Sequence, residues 1–289
     1  MASPKVIIFG PTGSVGSVVA HTAHSLGAKV YLAMRDPSKS IPNLPQAEFF
    51  ERVQADLTNP DTVHAAVTST GAKHAFIYCT FGTPDHMRAT LEALKSGGIE
   101  FVQHAQVEIG LREVFGSDGG YAAVRPGYFA SNLLGYKGAI AKEGGAVTIP
   151  CPEAVFDYIT PEDIGTVSGT LLVEGKARLK GEGSEVFLAG PQLLSQAEVI
   201  GFIGKVLGRE LKVQNYASDE EAVRFVVNNL GLPEPGAKQL VQGYRSVAEG
   251  KPVFDDSTYA EAVANVQKYG RRAPTKIHDW VKAHKAEFV

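Results

Sequence analysis

Cysteine is scarce in this chain. Two occur in 289 residues, Cys79 and Cys151, too few for a disulfide scaffold and too far apart for a metal site, which points to a reducing compartment. A surplus of positive charge is also missing, with 28 Lys and Arg against 31 Asp and Glu and a net charge of −3. That balance argues against a direct nucleic-acid partner. No apolar run approaches the length that spans a bilayer, which excludes a helical membrane anchor within the sequence. The first strand begins by Val6, leaving no room for a charged-then-apolar secretory leader, and the expectation is a soluble, cytoplasmic protein. The eight histidines lack metal spacing, so no metal is expected, and His21 and His24 read as surface or packing residues. Neither a Gly-x-Ser-x-Gly elbow nor an internal repeat nor a low-complexity tract is present.

What the chain does have is an ordinary globular composition, 44% apolar and 20% charged, and one informative stretch near its start. Val6-Ile7-Ile8-Phe9 runs into Gly10-Pro11-Thr12-Gly13-Ser14-Val15-Gly16 and then into a helix-compatible segment from Ser17 to Leu26. An apolar strand, three glycines spaced three apart and a following helix make up a dinucleotide-binding turn. The first glycine allows the turn, the second lets backbone approach a pyrophosphate, and the third lets helix and strand pack closely. The free amides of Ser14, Val15 and Gly16 at the helix start would face the anion, with Thr12 beside them.

Strand and helix patterns then alternate. Ala28–Met34, Ala47–Val53, His74–Thr80, Glu100–His104 and Tyr121–Gly127 read as strands two to six, with helices between them from Asn59 to Val67 and from Asp85 to Lys95. This alternation predicts an α/β fold with a doubly wound parallel sheet. Ligands in such sheets lie outside the carboxyl ends of the strands, a rule that gathers Gly10 to Gly16, Arg35, Asp56, Thr80 and His104 on one rim. Beyond Gly190 the pattern turns helical.

The second strand ends in Arg35-Asp36-Pro37-Ser38-Lys39. A carboxylate here would bind a ribose 2′-hydroxyl and select NAD, whereas an arginine suits a 2′-phosphate. Arg35 offers a planar fork and Lys39 a point charge, while Asp36 before Pro37 has the character of a turn residue. The expected cofactor is therefore NADP(H), with two solvated surface charges as the plain alternative.

Four further strings accompany these: Ala55-Asp56-Leu57, Val124-Arg125-Pro126-Gly127-Tyr128-Phe129 with Asn132, Asp163-Ile164-Gly165, and Pro274-Thr275 to Trp280-Val281. Together with the glycine turn and the Arg35–Lys39 segment, they resemble the NmrA-like members of the atypical short-chain dehydrogenase/reductase superfamily across nearly the whole chain. The resemblance implies a Rossmann core over residues 1–190, with a cleft-lining segment at about 129–154, and a smaller, mainly helical substrate lobe over 191–289. It also implies NADP(H) held by Arg35 and Lys39 on the 2′-phosphate and by Asp56 near the adenine. Leu57, Thr80 and Phe81 join the expected cofactor-binding set at the strand ends.

The sequence departs from that family where catalysis is concerned. No Tyr-x-x-x-Lys occurs, no Lys lies between Gln103 and Gly120, and that segment is too short for the long helix that would present one. Hydride transfer to a carbonyl, imine or polarised alkene still needs a proton source. His104 at the end of the fifth strand has a pKa suited to that work, or is a hydrogen-bonded structural residue. Tyr128 after the Arg-Pro-Gly turn reaches the cleft or packs in the lobe, and Asp157 orients a substrate or serves as a cap. Gln106 and Glu108 bind substrate or face solvent. Tyr78 and Thr80 are expected to border the nicotinamide, and Cys79 to be a small core residue.

These readings lead to an NADPH-dependent oxidoreductase acting on a small, largely apolar organic molecule in specialised metabolism. Two alternatives keep the cofactor site: an isomerase or cyclase that uses the nicotinamide structurally, and an NADP(H)-sensing regulator that acts through a protein partner without turnover.

Overall fold

Every residue of the first strand is apolar after Lys5 because both faces of the sheet are covered. Val6 and Ile8 enter one hydrophobic cluster, with Val19, Ala20 and Ala23 of the first helix. Ile7 and Phe9 enter another on the opposite face, with Val63, Val67, Leu91 and Leu111. Alternate side chains of a strand point to opposite faces, so a strand buried on both sides reads as an unbroken apolar run.

The computed structural model describes residues 3–41, 44, 47–80, 85–104, 108–116, 120–142, 144, 146–179 and 185–289. In chain order its elements are β1 (Lys5–Phe9), α1 (Ser14–Ser25), β2 (Lys29–Met34), β3 (Glu51–Gln54), α2 (Pro60–Thr70), β4 (His74–Phe76), α3 (Arg88–Gly97), β5 (Phe101–His104), α4 (Glu108–Phe115) and β6 (Tyr121–Pro126). There follow α5 (Lys137–Ile140), β7 (Ala146–Ile149), β8 (Val155–Phe156), α6 (Pro161–Glu174), α7 (Lys176–Leu179) and β9 (Glu185–Leu188). The last are β10 (Leu194–Ser195), α8 (Gln196–Leu207), β11 (Lys212–Asn215), α9 (Asp219–Phe225), α10 (Glu234–Ala248), α11 (Asp256–Gly270) and α12 (Ile277–Ala283).

The chain divides into two units. The first comprises Met1–Pro126, Pro161–Leu188 and Ala264–Ala273. Its seven strands lie in the order β3-β2-β1-β4-β5-β6-β9, and every pairing is parallel. The sheet is the expected doubly wound Rossmann type, with its switch point between β1 and β4, where the strand order reverses. Helices α1 and α6 pack together, as do α2 with α3 and α3 with α4.

The second unit comprises Gly127–Thr160, Ala189–Val263 and Pro274–Val289. It is largely helical, with two small strand pairs, β7 parallel to β11 and β8 antiparallel to β10. Its core gathers Leu133, Tyr136, Ile149, Phe156, Val199, Ile203, Trp280 and Phe288. Helix α8 is fixed by a capping box, in which the Ser195 side chain accepts from the Glu198 amide and Glu198 accepts from the Ser195 amide. Each partner thus satisfies an amide that the first turn leaves free. The division is discontinuous, where the sequence reading has one boundary at 190. Residues 127–160 join the second unit because their strands pair with β10 and β11, and 264–273 join the first because Asn265 and Arg272 bond within it. No described helix is long and apolar enough to cross a membrane.

Candidate functional site

The turn after β1 has the backbone that its glycines suggest. Gly10 sits at φ +68°, and its carbonyl accepts the Gly13 amide at 3.1 Å. A Cβ on Gly16 would stand 2.2 Å from the Gly10 oxygen, so this helix–turn approach admits only glycine. Helix α1 then begins with no side-chain cap at Gly13 and no acidic residue in its first turn. Thr12, Gly13 and Ser14 are exposed. An uncapped helix start with accessible amides is a built anion site, since the partial positive charge there is left for a ligand.

Beside this turn lies a pocket of about 120 Å³, contained within the first unit. Gly10, Pro11, Thr12, Arg35, Asp36, Lys39, Asp56, Leu57 and Tyr78 line it. The structure thus brings together most of the expected cofactor residues, with Arg35 and Lys39 both exposed at its edge. Asp36, also in the lining, is engaged in a local turn. Its Oδ1 accepts from the Ser38 amide at 3.0 Å and the Ser38 hydroxyl at 2.6 Å, and these bonds hold its pKa below the usual carboxylate value. Asp56 makes the same kind of turn, accepting from the amide and hydroxyl of Thr58 at 2.9 and 2.8 Å. Leu57 is buried in the core beneath.

The Tyr78 ring lies against Gly10, with Cε1 2.6 Å from where a Gly10 Cβ would be. Burial pushes the phenol pKa up, Arg35 draws it down and Asp56 raises it. Strand β4 closes at Phe76, sooner than the apolar run His74–Thr80 suggests. Thr80 is half-buried, its amide donating to Met87 Sδ at 3.3 Å. Cys79 is half-buried too, and burial raises its thiol pKa. Phe81 and Gln106 lie outside the described residues.

The three candidates for proton chemistry fall in different settings. His104 closes β5, its backbone in register with Ala123 of β6. Among the described residues the segment after it holds the eight-residue α4, which Glu108 opens. Tyr128 is buried in the second unit, stacked on Phe156 at 4.2 Å, with its hydroxyl 3.2 Å from that of Tyr244. Burial lifts its pKa well above the ordinary phenol value, followed by the repulsion of Tyr244. Asp157 is 3% exposed, and its two oxygens accept the amides of Tyr128 at 2.9 Å and Gly190 at 3.1 Å. Burial raises its pKa, and the backbone donors act in the opposite sense. Tyr128 is thus a buried phenol in an aromatic cluster, and Asp157 a carboxylate that joins the backbone of two separate segments. Among the described residues no His, Cys, Asp and Glu cluster could hold a metal.

No family model matches the chain. A nitrogen metabolite regulation-like protein, bik4, of Gibberella fujikuroi is 34% identical to it and covers 98% of each chain. The chain belongs to the NmrA-like family. An NAD(P)H azoreductase of Xenophilus azovorans is 28% identical over 98% of this chain and 99% of its own. Among solved structures, the NADPH-dependent quinone oxidoreductase QOR2 of Escherichia coli, complexed with NADPH, matches with a TM-score of 0.72 and 18% identity, covering 96% of this chain and 99% of that one. At that identity the match speaks for the fold.

Two residues of this NmrA-like chain that support the site escape a reading of the sequence. Arg52 Nη1 donates to the carbonyls of Pro37 and Lys39, both at 2.8 Å, and Gln54 donates to the Arg35 carbonyl at 3.3 Å. They project from β3 and pin the loop that carries Arg35 and Lys39. Their only signal is the register of β2 on β3, with Met34 opposite Gln54.

Proposed function

We propose that this chain is an NADPH-dependent reductase of a carbonyl, imine or polarised alkene in a small, largely apolar organic substrate. The observation that carries the reading is the pocket beside the glycine turn, where Arg35 and Lys39 stand at the edge while Asp36 Oδ1 is engaged by the Ser38 amide and hydroxyl. A ribose 2′-hydroxyl would need that carboxylate, and a 2′-phosphate needs the two cations instead. The uncapped start of α1, with Thr12, Gly13, Ser14, Val15 and Gly16, suits a pyrophosphate. Asp56, Leu57 and Tyr78 would take the adenosine side, and Thr80 and Phe81 remain proposed cofactor residues beyond β4 in sequence. The NAD(P)H-dependent activity named for the azoreductase relative agrees with this reading.

When bound, NADPH supplies a hydride, and the chain must supply the proton. With Tyr128 and Asp157 engaged inside the second unit, His104 is our proposed donor, on its strand-end position and because imidazole is the side chain best suited to proton transfer near neutral pH. A second reading, an NADP(H)-sensing regulator, rests on the regulatory name of the bik4 relative and on the missing Tyr-x-x-x-Lys.

The test is NADPH oxidation by the purified chain across carbonyl, imine and enone panels. Consumption of NADPH with reduced product supports the reductase, and none across all panels overturns it in favour of the regulator. For the cofactor, Arg35→Ala should weaken NADPH binding by about 10- to 100-fold, the range for a lost charge-assisted phosphate contact, while NADH changes by about twofold or less. Equal losses for both dinucleotides would remove Arg35 from the 2′-phosphate.

A further inference from the structure

Six large hydrophobic side chains are conspicuously exposed among the described residues, and three of them, Val155 (43%), Leu193 (53%) and Val253 (49%), line one cavity. This cavity, about 420 Å³, lies wholly within the second unit. It is formed by β8, the turn before β10, the end of α10 and the loop that leads into α11. Its volume falls in the range of small-molecule pockets, about 300–1,000 Å³. Isolated surface hydrophobics need no explanation, but three gathered around one concavity mark a binding surface.

The polar groups of the lining share one sign. Glu153 and Asp256 are exposed at it, and neither forms an ion pair among the described residues. No Lys, Arg or His lines it. Asp157 lies in the wall with its oxygens on backbone amides, and the Tyr259 hydroxyl donates to the Gly190 carbonyl at 3.0 Å. The phenyl rings of Phe156 and Phe254 and the Tyr259 ring complete the wall. Carboxylates above an apolar, aromatic floor repel anions and favour a cation that carries its own apolar body, because the aromatic faces attract positive charge as well.

We propose that this cavity binds a small apolar organic cation, an ammonium on an aromatic or aliphatic frame. The cavity lining shares no residue with the pocket beside the glycine turn, and the proposal does not depend on the reductase reading.

The experiment is calorimetric titration of the cofactor-free chain with three probes of one shape: protonated 4-phenylbutylamine, 4-phenylbutanol and 4-phenylbutyrate. The amine should bind about tenfold more tightly than the alcohol, since two partly solvated carboxylates contribute roughly two- to fivefold each, and the butyrate should bind most weakly. In the variant Glu153→Gln with Asp256→Asn, the amine's advantage should fall to about twofold or less, with alcohol affinity unchanged. Val253→Arg should abolish amine binding while thermal stability is kept, because the residue is exposed. Equal affinity for amine and alcohol, preference for the butyrate, no binding of any probe, or an amine preference that survives both variants would each overturn the proposal. A failed NADPH oxidation assay would leave it standing.

Discussion

Replacing Gly16 with alanine puts the tightness of the glycine turn to a quantitative test. The added methyl would lie 2.2 Å from the Gly10 carbonyl oxygen, 3.0 Å from its carbon and 3.3 Å from Pro11 Cα. The closest approach is about 1 Å short of van der Waals separation. The obstructing atoms are backbone, held by the 3.1 Å bond from the Gly13 amide to the Gly10 carbonyl, so no side-chain rotation relieves the clash. One effect opposes the loss: Gly16 lies inside α1, where alanine is favoured over glycine by about 0.5–1 kcal/mol. Overpacking costs about 1–3 kcal/mol, and a fixed backbone places this case at the upper end, leaving a net loss of about 2 kcal/mol. For a chain of this size that corresponds to a Tm lower by roughly 4–8 °C. Gly13 supplies the control. A Cβ there meets only the Gly10 oxygen at 3.5 Å, an ordinary contact, and its φ of −77° suits any residue. Gly13→Ala gives up a little N-cap preference, about 0.5 kcal/mol, and its Tm should fall by about 2 °C or less. Calorimetric melting of both cofactor-free variants decides the matter. A Gly16→Ala protein that melts with the wild type, or a Gly13→Ala protein that melts as low as Gly16→Ala, refutes the reasoning.

Other perturbations test other parts of the fold. Asp163 is fully buried and bonds Arg272 at 2.5 Å, so Asp163→Ala should lower unfolding stability by about 1–3 kcal/mol in a denaturant titration. An unchanged midpoint would show the pair to be dispensable. Burial raises the pKa of Asp157 above its ordinary 3.8, so its stabilising contribution is complete below that value and is lost as pH rises through the folded pKa. Melting between about pH 3 and 7 should therefore show a decline in the wild type that Asp157→Asn lacks, and parallel curves would contradict the assigned burial effect. Tyr78→Ala should weaken NADPH and NADH alike, by roughly fivefold for the lost aromatic face, whereas Tyr78→Phe should bind both like the wild type. A loss confined to NADPH would place the Tyr78 hydroxyl, and not its ring, at the ligand.

What a sequence can disclose about this site depends on how local the deciding interaction is. The strand, the glycine turn and α1 are legible because each rests on neighbours within a few residues, and the same holds for Asp36, whose partner Ser38 is two positions away. Arg52 was not legible as a support of the Arg35–Lys39 loop, because it reaches that loop only through the pairing of β2 with β3. The end of β4 at Phe76 was not legible for a related reason: an apolar run shows that a strand is present, but its end is set by the partner strands. The place of residues 127–160 in the second unit was not legible either, since Ala146–Ile149 finds its partner only in Lys212–Asn215.

Asp157 shows the deeper ambiguity. A carboxylate among apolar residues near a strand end is what acid–base chemistry requires, and it is also what two buried amides require when a chain crosses from one loop to another. Both demands select the same residue type in the same kind of sequence, and both raise or lower the pKa through the same burial and the same donors. The difference lies in whether the oxygens are already occupied. Here each oxygen accepts a backbone amide, from Tyr128 and from Gly190, so Asp157 carries a structural task in the second unit. Mutagenesis aimed at the proposed proton donor should begin with His104, at the end of β5.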